Sequence, residues 1–445
     1  MARVLVYTSP ARGHLYPLVP ILDELAARGH EISIRTLASQ VALMQERGFA
    51  AAPVATPVED LVHDDYQART PQGSLKRGVA TFAARAEHEV SDLRAAIDAE
   101  QPDVLLVDAM SWGASAAAAA WDGPWAQWFP YPLPVPSRNV PPFGPGLRPA
   151  SGPLGRLRDR ALRPLMLNSM AKIFLPSVNA ARDTVAQPPF ASITDMFTVA
   201  PLLLYMTAEP FEYPRSDWPA SVRMVGPCCW DPPADPPSWL AGIKQPIVLV
   251  STSSEFQDDG RLVTTALEAL ADEDVHVVAT IPAAEMPSAG VPANAHVEQF
   301  LPHAPILARA VCAVTHGGAG VTQKALAAGV PVCVVPFGRD QLEVARRVEV
   351  AGAGTRLPAR RLTPDRLRSK IRDAMTRHEG AHRVAEGFAA TGGPTAAAHA
   401  VEGLLNGHGI SRRHTQSPDA DRTRLPLTPT LPASRTEPAA TQRED

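Results

Sequence analysis

Residues Val311 to Pro336 form the segment VCAVTHGGAGVTQKALAAGVPVCVVP, which contains a strand, a glycine-rich turn, a helix and a second strand in succession. The two valine-rich runs, VCAVTH and VPVCVVP, enclose the helical segment VTQKALAAG. A helix between two such strands carries the chain back across one face of the sheet, so the strands run parallel with a right-handed crossover. The segment therefore predicts an α/β fold with a parallel sheet.

The same alternation of strand and helix extends in both directions from this segment. Before it, the strands PIVLVSTSS and VHVVATI flank the helix RLVTTALEALA. The first half of the chain repeats the pattern with the strands RVLVYTS, EISIRT and PDVLLVDAM, the last followed by the alanine-rich helix GASAAAAAW. A chain of 445 residues is also longer than a domain with a single hydrophobic core usually is. We therefore expect two doubly wound domains that face each other across a cleft.

Composition suggests where these domains begin and end. Residues 226–246 are rich in proline, which suits neither a helix interior nor a central strand, so we interpret them as a linker. This leaves an N-terminal domain at 1–225 and a C-terminal domain at 247–406, with a last helix that can pack back on the first domain. From 407 to 445 the chain is rich in Ser, Thr, Arg and Pro without apolar periodicity, which predicts a disordered tail.

Charge and hydropathy exclude several classes of partner. A net charge of -4 provides no basic field for nucleic acid or for an anionic membrane. No run of about 18 apolar residues is present for a membrane span, and the start of the chain lacks a small-residue cleavage site. The four cysteines, two of them adjacent at Cys228 and Cys229, indicate reduced thiols. We expect a cytoplasmic protein with no stable membrane insertion.

The turns after the predicted strands carry groups that suit a nucleotide sugar. In an open parallel sheet, ligands bind beyond the carboxyl ends of the strands. His316 ends one strand, and the glycines after it leave the N–H groups of the next helix accessible to a diphosphate. Ser254 supplies a hydroxyl after another strand. Asp340 and Gln341 place a carboxylate beside an amide, and together these groups can form hydrogen bonds to several hydroxyls of a sugar.

Two segments resemble motifs of the GT-B glycosyltransferases. THGGAGVTQKALAAGVPVCVVPFGRDQLEVARRVEVAGAG (315–354) resembles their donor-binding signature, and RGHLYPLVP (12–20) resembles their N-terminal glycine-histidine motif. The likeness extends from Arg3 to about Leu405 and points to the group of plant UDP-glycosyltransferases and actinobacterial antibiotic or macrolide-type glycosyltransferases. It implies two Rossmann-like domains, transfer of the sugar with inversion at the anomeric carbon, and no cofactor or metal.

The resemblance also implies a role for individual residues. His14 would be the general base that removes the acceptor proton, and Asp108 would orient the imidazole and stabilise its charge. The base-stacking aromatic of the family corresponds to Phe300, and His303 stands where many members have glutamine. The residues implied to bind the donor are Ser254, Phe300, His303, His316, Gly317, Gly318, Gly320, Asp340 and Gln341.

Two positions depart from the family pattern. Lys324 stands where glutamate is common, and Val344 stands where asparagine is common. The lysine adds positive charge near the donor, and the valine changes the surroundings of the sugar. The sequence therefore leaves the sugar and its nucleotide, TDP or UDP, open.

Residues 123–164 are dense in proline, glycine and aromatic side chains, and we interpret them as a substrate loop. Aromatic side chains at a cleft favour flat or apolar ligands, although packing beneath a long loop explains them equally well. With the resemblance, they indicate transfer of a hexose or deoxyhexose to a hydroxyl or another nucleophilic group of a small apolar natural product, such as a polyketide or antibiotic-type aglycone. The acceptor-binding candidates are Trp125, Trp128, Phe129, Tyr131 and Phe143.

Other protein classes fit the sequence less well. Residues 378–382 have the H-E-x-x-H order of zinc peptidases, but Gly380 weakens the helix that this motif needs. A dehydrogenase is disfavoured because no turn completes G-x-G-x-x-G. A helper protein that binds the nucleotide sugar without turnover stays open, although it has no need of His14 and Asp108. Assembly as a homodimer stays open as well.

Overall fold

The computed structural model describes residues 1–286 and 290–407. Within these ranges the chain forms two parallel β-sheets, each covered by helices on both faces. The tail predicted to be disordered at 407–445 lies outside the described residues, apart from Gly407. No helix within the described ranges is long and apolar enough to cross a membrane.

The first sheet contains β1 (Arg3–Tyr7), β2 (Glu31–Thr36), β3 (Ala50–Pro53), β4 (Val104–Asp108), β5 (Trp125–Phe129), β6 (Leu202–Tyr205) and β7 (Val222–Met224). These strands are all parallel and lie in the order β3-β2-β1-β4-β5-β6-β7. The accompanying helices are α1 (Arg12–Leu15), α2 (Val19–Ala27), α3 (Ala38–Glu46), α4 (Thr56–Glu59), α5 (Pro71–Glu100), α6 (Trp112–Ala120), α7 (Pro153–Asp183) and α8 (Ile193–Phe197), with a 3₁₀ turn at Asp65–Gln67.

The second sheet contains β8 (Ile247–Ser251), β9 (His276–Thr280), β10 (Ala295–Glu298), β11 (Ala310–Thr315), β12 (Val332–Val334) and β13 (Gly354–Arg356). They are parallel and lie in the order β10-β9-β8-β11-β12-β13. The accompanying helices are α9 (Arg261–Leu270), α10 (His303–Leu307), α11 (Ala319–Ala327), α12 (Gln341–Val350), α13 (Pro364–Met375), α14 (His378–Ala389) and α15 (Gly393–Gly407), with 3₁₀ turns at Ser238–Gly242 and Ala359–Arg361.

Both sheets are buried on their two faces, as parallel sheets between helices must be. Successive side chains of a strand point to opposite faces. Along β1, Leu5 and Tyr7 pack in one apolar cluster, while Val4 and Val6 pack in the other. The side chains of β8 alternate in the same way between two clusters of the second sheet. The doubly wound parallel α/β arrangement predicted from the sequence is therefore confirmed.

The segment 123–164 is not one long loop, so the prediction of a substrate loop over its whole length is wrong. Its first part forms β5, whose five residues are all buried between β4 and β6. Its last part belongs to α7, a helix of 31 residues that has Pro164 and Pro176 inside it. Apart from residues 123–124, only 130–152 is irregular. The strand was overlooked because prolines and glycines flank a short aromatic run that itself favours a buried strand.

The first helix is interrupted where the sequence has two prolines. Helix α1 ends at Leu15 and α2 begins at Val19. Pro20 lies in the first turn of α2, where a backbone N–H has no partner within the helix, so the proline costs no hydrogen bond. The interruption leaves α1 as a single turn directly after β1.

Helix α15 returns to the first sheet after the chain has completed the second. Its buried residues Val401 and Leu405 join the apolar cluster that contains Leu22 of α2. Beside this contact, Arg28 donates a hydrogen bond to Glu402 at 2.8 Å. The last helix therefore forms part of the core of the first domain.

A buried charge in α15 should disrupt this packing. Val401→Asp places an unpaired carboxylate among apolar side chains, so we expect the free energy of unfolding to fall by about 3 kcal/mol or more. His399→Asp, at an exposed position of the same helix, is the matched control and should change it by about 0.5 kcal/mol or less. Urea unfolding of both variants measures the difference. Equal stability of the two would contradict the packing of α15 on α2.

Candidate active site

His14 and Asp108 lie side by side because the strands before them are neighbours in the first sheet. Strand β1 pairs with β4, His14 lies in α1 directly after β1, and Asp108 is the last residue of β4. The His14 Nδ1 atom is 3.0 Å from each carboxylate oxygen of Asp108. The indole N–H of Trp128 donates to the His14 carbonyl oxygen at 3.1 Å and holds the backbone of the short helix.

The carboxylate of Asp108 is fully buried, and both of its oxygens accept hydrogen bonds. The backbone N–H of Ser9 (3.1 Å) and the Ser9 hydroxyl (2.6 Å) donate to Oδ2, and the N–H of Met110 donates to Oδ1 at 2.9 Å. Burial alone raises the pKa of Asp108, but the charge of His14 and these hydrogen bonds outweigh it and leave the pKa below its ordinary value. Asp108 is therefore an anion at neutral pH.

The charge state of His14 is controlled by its acidic neighbours. Burial lowers the pKa of His14, but the charge and the hydrogen bond of Asp108, together with other carboxylates, outweigh this effect, so the pKa lies above the ordinary value of 6.5. Two carboxylates of the second domain, Glu255 and Asp340, add to this rise. Because a carboxylate only accepts hydrogen bonds, the proton of the neutral ring lies on Nδ1. The lone pair on Nε2 can then take a proton from a hydroxyl.

Loops of the second domain meet the first domain beside this pair. The side chain of His14 is 21% exposed. A Cβ on the neighbouring Gly13 would lie 3.9 Å from the hydroxyl oxygen of Ser254, which follows β8. Ser254 itself is exposed. The structure therefore brings His14, Asp108 and Ser254 together, as the sequence predicted for opposite sides of one cleft.

The glycine-rich turn after β11 leaves a helix start open to a ligand. At Gly317 φ is +96°, and a Cβ there would lie 2.9 Å from Cβ of Gln341. No side chain of the described residues caps α11, which begins at Ala319. A Cβ on Gly320 would meet nothing within 4 Å among the described residues. The first N–H groups of α11 are therefore accessible to an anion.

His316 lies buried beneath this turn. Its Nδ1 atom is 3.4 Å from the carbonyl oxygen of Ser251, and a Cβ on Gly318 would come 2.3 Å from its Nε2 atom. Burial lowers the pKa of His316, so the ring is neutral at pH 7. The absence of a side chain at Gly318 is what lets the imidazole lie directly against the turn.

Asp340 and Gln341 stand at the start of α12, in different surroundings. Gln341 is 2% exposed. Its Oε1 atom accepts hydrogen bonds from the N–H groups of Phe337 (2.7 Å) and Gly338 (3.0 Å), and its Nε2 atom donates to Gln257 at 2.6 Å. Gln341 therefore shapes the turn after β12. Asp340 is partly exposed and burial raises its pKa.

Phe300 and His303 follow β10 in a loop and at the start of α10. Phe300 is 46% exposed, so a large part of its side chain is accessible to solvent. The Nε2 atom of His303 is 3.1 Å from the hydroxyl oxygen of Thr280. Burial lowers the pKa of His303 to about 4, which keeps this ring neutral.

The two departures from the family pattern have clear structural surroundings. The ammonium of Lys324 donates to Asp231 in the segment between the sheets, at 2.6 Å. The other oxygen of Asp231 accepts the backbone N–H of His303 at 3.1 Å. Lys324 is therefore held by the linker. Val344 is fully buried in the core of the second domain.

Three of the five aromatic acceptor candidates are core residues. Trp125, Trp128 and Phe129 lie on β5 and are at most 5% exposed. Their rings pack the first domain and cannot contact a ligand in the cleft, which corrects the prediction for these three. Tyr131 is different, because its ring centroid lies 5.6 Å from that of His14.

The loop 130–152 is fastened to α12 by one buried carboxylate. Glu343 accepts hydrogen bonds from the N–H groups of Gly144 (2.8 Å) and Gly146 (3.0 Å) at Oε1, and from Arg347 (2.8 Å) at Oε2. At Gly146 φ is +60°, and a Cβ there would lie 2.4 Å from the carbonyl oxygen of Leu342. Only glycine permits this approach of the loop to the helix.

Arg347 extends this network to the first domain. Its guanidinium also donates to both carboxylate oxygens of Glu212 at 3.1 Å. Glu212 in turn accepts a hydrogen bond from the hydroxyl of Tyr205, at the end of β6. Phe143, the fifth aromatic candidate, lines a cavity beneath the loop together with Arg347. Sequence reasoning missed this network, although Glu343 and Arg347 stand on the apolar face of α12, which is an unusual place for charges.

A second set of contacts across the cleft was also missed. Arg339, in the turn before α12, donates to Asp65 of the first domain at 2.9 and 3.1 Å and to Glu255 at 2.8 Å. The rings of Tyr66 and Phe256 meet edge to face beside it, with centroids 4.9 Å apart. These contacts join the two domains next to the loops that carry Ser254 and Asp340.

Comparison with known proteins agrees with this geometry. Residues 264–404 match the family described as Erythromycin biosynthesis protein CIII-like, C-terminal domain. Over 422 residues the chain is 33% identical to 4'-demethylrebeccamycin synthase of Lentzea aerocolonigenes. The aligned region covers 91% of this chain and 100% of the relative. The chain belongs to the antibiotic-type GT-B glycosyltransferases.

Solved structures of other glycosyltransferases share the fold. The glycotransferase of kitacinnamycin superposes with a TM-score of 0.69 at 24% identity, over 91% of this chain and 99% of the other. The glycosyltransferase VinC in complex with dTDP superposes with a TM-score of 0.65 at 22% identity, over 91% and 99% of the two chains. The prediction of a GT-B glycosyltransferase is confirmed.

The H-E-x-x-H segment of this glycosyltransferase lies in α14. There His382 packs against Gly329, where a Cβ would come 3.0 Å from its ring. In the part of the chain that the structure describes, no group of three or more His, Cys, Asp or Glu side chains is arranged to hold a metal ion. The segment therefore has a packing role in the second domain.

Removal of the Glu343 carboxylate should release the loop of this glycosyltransferase. Glu343→Ala leaves two glycine N–H groups and part of the Arg347 guanidinium without a partner, so we expect a loss of about 2–4 kcal/mol in the free energy of unfolding. Amide hydrogen exchange in residues 141–148 should become faster.

The matched control is Glu349→Ala on the same helix, where the partly exposed ion pairs with Arg346 and Arg356 are worth about 1 kcal/mol or less each. Hydrogen exchange followed by mass spectrometry, together with thermal unfolding, distinguishes the two variants. Unchanged exchange at 141–148 in Glu343→Ala would rule out this carboxylate as the fastening of the loop.

Proposed function

We propose that this glycosyltransferase moves a hexose or deoxyhexose from a TDP- or UDP-sugar to a hydroxyl of a small, largely apolar natural product, with inversion and without a metal ion. The observation that carries the proposal is the contact between His14 and Asp108. It leaves Nε2 of a properly oriented imidazole free to act as a base beside the loops of the second domain.

The chemistry follows from this arrangement. The acceptor oxygen attacks the anomeric carbon while His14 Nε2 takes the hydroxyl proton, and the bond from that carbon to the diphosphate oxygen breaks. Attack from the face opposite to the leaving diphosphate inverts the configuration. Asp108 stays ionised and stabilises the imidazolium that forms. A positioned base of this kind contributes roughly 10²- to 10⁴-fold to the rate.

The departing diphosphate gains negative charge during this step. The open N-terminus of α11 carries a partial positive charge, which stabilises the transition state more than the bound donor because the charge grows there. Gly317 and Gly320 let the phosphates approach the backbone, and Ser254 offers a hydroxyl from the facing loop. These residues therefore support a diphosphate at the turn after β11.

The surroundings of Lys324 favour TDP over UDP as the nucleotide. The family's glutamate would offer an oxygen to the ribose, whereas this lysine is bound to Asp231. A deoxyribose lacks one hydroxyl and so needs one acceptor fewer than a ribose. VinC, which shares the fold, was solved in complex with dTDP. Under this proposal Phe300 stacks on the base, and Asp340 accepts hydrogen bonds from sugar hydroxyls.

The proposed acceptor rests on the relatives and on the first domain. The similar synthase and the similar structure are named after rebeccamycin and kitacinnamycin. Tyr131, an aromatic residue of the loop 130–152, lies against His14. Both features support a small apolar natural product as the acceptor.

A nucleotide-sugar-binding helper without turnover is the second candidate. It would keep the turn after β11 but would gain nothing from a buried carboxylate that holds an imidazole, so the His14–Asp108 contact favours the enzyme. The domain boundaries near residues 225 and 247 stay predictions, and so does assembly as a homodimer. Release of nucleoside diphosphate from a nucleotide sugar in the presence of hydroxylated aromatic acceptors separates enzyme from helper.

The pH dependence of kcat/KM should report the ionisation of His14. The imidazole is a base only when neutral, and its neighbours raise its pKa, so kcat/KM should rise with pH and reach half its plateau above pH 6.5. Asp108→Asn removes the charge that raises this pKa while burial still lowers it. The midpoint should then move to lower pH, and kcat should fall by roughly 10²- to 10⁴-fold.

Assays of diphosphate release over a pH series test both statements. His14→Ala should lose activity to a similar extent, and His378→Ala, in the remote helix α14, is the control that should retain it. A His14→Ala variant with the same kcat as the parent would contradict the assignment of His14 as the base.

The turn after β11 can be tested by ligand-induced stabilisation. Added TDP should raise the melting temperature of the parent more than UDP does, because a ligand that binds only the folded state stabilises it. Gly317→Ala forces a Cβ into Gln341 and should abolish the shift. Gly48→Ala has a similar backbone strain, at φ +86° with open space around it, and should retain the shift. If both variants lose the shift in melting temperature, the shift does not depend on the turn after β11.

A further inference from the structure

Arg339 has a backbone conformation that is unusual for an arginine. Its φ is +53°, in the left-handed region that favours glycine. It stands in the turn between β12 and α12, directly before Asp340. Strained conformations of this kind persist where the surrounding structure holds them, and they concentrate at functional sites. A glycine would adopt this turn without strain, so what distinguishes Arg339 is the set of contacts that its side chain makes.

The side chain of Arg339 joins three loops from both domains. Its Nε and Nη2 atoms donate to the two carboxylate oxygens of Asp65, at 3.1 and 2.9 Å. Its Nη1 atom donates to Glu255 at 2.8 Å. Asp65 lies in the 3₁₀ turn of the first domain, whereas Glu255 follows β8 in the second. Because two nitrogens of one guanidinium bind Asp65, the contact fixes direction as well as distance.

Asp65 is anchored on its own side of the cleft. It is 6% exposed, and its Oδ2 atom lies 3.4 Å from the hydroxyl oxygen of Ser74 in the first turn of α5. Burial alone raises the pKa of Asp65, but the hydrogen bonds and the charge of Arg339 outweigh it and leave the pKa below its ordinary value. Removal of the arginine would leave this carboxylate buried without its cation.

Two aromatic rings continue the contact towards solvent. Tyr66 follows Asp65 in the chain and Phe256 follows Glu255, and their rings meet edge to face. Both side chains are exposed to a large extent, at 39% and 45%. Water therefore reaches this part of the interface, unlike the fully buried bridge that Arg347 forms elsewhere between the domains.

The residues proposed to bind the donor border this contact. Asp340 follows Arg339, and Ser254 precedes Glu255. A Cβ on Gly13, next to the proposed base, would lie 3.9 Å from the hydroxyl oxygen of Ser254. A shift of these loops relative to the base would misalign the acceptor oxygen and the anomeric carbon. Misplacement of reacting groups by about 1 Å can cost roughly 10²-fold in rate.

We propose that Arg339 is a positioning residue of the transfer reaction. By binding Asp65 it holds the loops after β8 and β12 at the distance from His14 that attack on the anomeric carbon requires. Among the described residues, every hydrogen bond of its guanidinium goes to Asp65 or Glu255, so Arg339 acts through the loops that it joins. The inference rests on the proposed function, because it presumes that the sugar is transferred between these groups.

Replacement by glycine removes the side chain and the backbone strain together. In Arg339→Gly the relief of strain offsets part of the stability lost with the ion pair, which keeps the variant folded at the assay temperature. Its kcat for diphosphate release should fall roughly 10- to 100-fold. Gln101→Gly is the matched control, because Gln101 also has a positive φ of +48° and follows α5, at the edge of the sheet where the strands begin. It should retain the kcat of the parent.

Variants of the partner test whether both residues act through one contact. Asp65→Asn keeps the shape but turns one polar atom into a donor that faces a donor, so the two-point contact is lost and kcat should fall to a similar extent. Asp64→Asn, whose exposed ion pair with Arg77 lies within the first domain, should retain kcat. The double variant of Arg339→Gly and Asp65→Asn should be no slower than the slower single variant. Losses that multiply would overturn the shared contact.

Ligand binding distinguishes positioning from direct contact with the donor. Added TDP should raise the melting temperature of Arg339→Gly about as much as that of the parent, because the open N-terminus of α11 is unchanged. Loss of this shift would mean that Arg339 binds the nucleotide itself, and would overturn the positioning role. A lower melting temperature with an unchanged kcat would show a purely structural role and overturn it as well.

A measurement without substrate separates this inference from the proposed function. Amide hydrogen exchange in residues 64–69 should become faster in Arg339→Gly, since the 3₁₀ turn loses its contact with the second domain. Unchanged exchange would overturn the contact, whether or not the protein turns over. If the parent releases diphosphate and both variants keep its kcat, the positioning role alone is refuted. If the parent releases none while exchange becomes faster, the proposed function is refuted and the role in transfer with it, whereas the contact stands.

Discussion

Asp108 keeps a negative charge in a place that solvent does not reach, and the beginning of the first domain is organised around it. An uncompensated carboxylate there would cost several kcal/mol, so its neighbours must supply hydrogen bonds. Ser9 and Met110 do so from the ends of adjacent strands, and His14 completes the set. Helix α1 is a single turn and could not orient an imidazole without such a partner. The charge that costs stability is thus the one that fixes the direction of His14.

Buried charges also determine how the two domains sit together. Arg347 bridges Glu212 of the first domain and Glu343 of the second, with all three side chains at most 2% exposed. Pairs of this kind add little net stability compared with apolar packing, but breaking one of them is expensive, so they hold a defined geometry. Because Glu343 also binds the glycines of the loop 130–152, the loop and the start of α12 keep a fixed relation. This network therefore joins the side of the cleft proposed to bind the acceptor to the side proposed to bind the donor.

The sequence was informative where local pattern determines structure. Valine-rich runs located β1, β4, β8 and β11, and the glycines after His316 located an open helix start. Strand β5 was missed because the prolines around it suggest a loop, whereas burial between two strands decides its conformation. The contacts of Glu343 with Gly144 and of Lys324 with Asp231 join residues 199 and 93 positions apart, and no local signal marks such pairs. For the same reason the aromatic residues of β5 were assigned to the cleft instead of the core.

The return of α15 to the first domain means that the chain crosses between the domains twice, once in residues 226–246 and again before Gly393. A single tether would leave the domains free to rotate about any axis, whereas two tethers restrict easy rotation to the line that joins them. Gly392 and Gly393, with φ of +80° and +55°, lie at the second crossing, where a hinge needs backbone freedom. The two tethers thus limit how far His14 and the turn after β11 can move relative to each other.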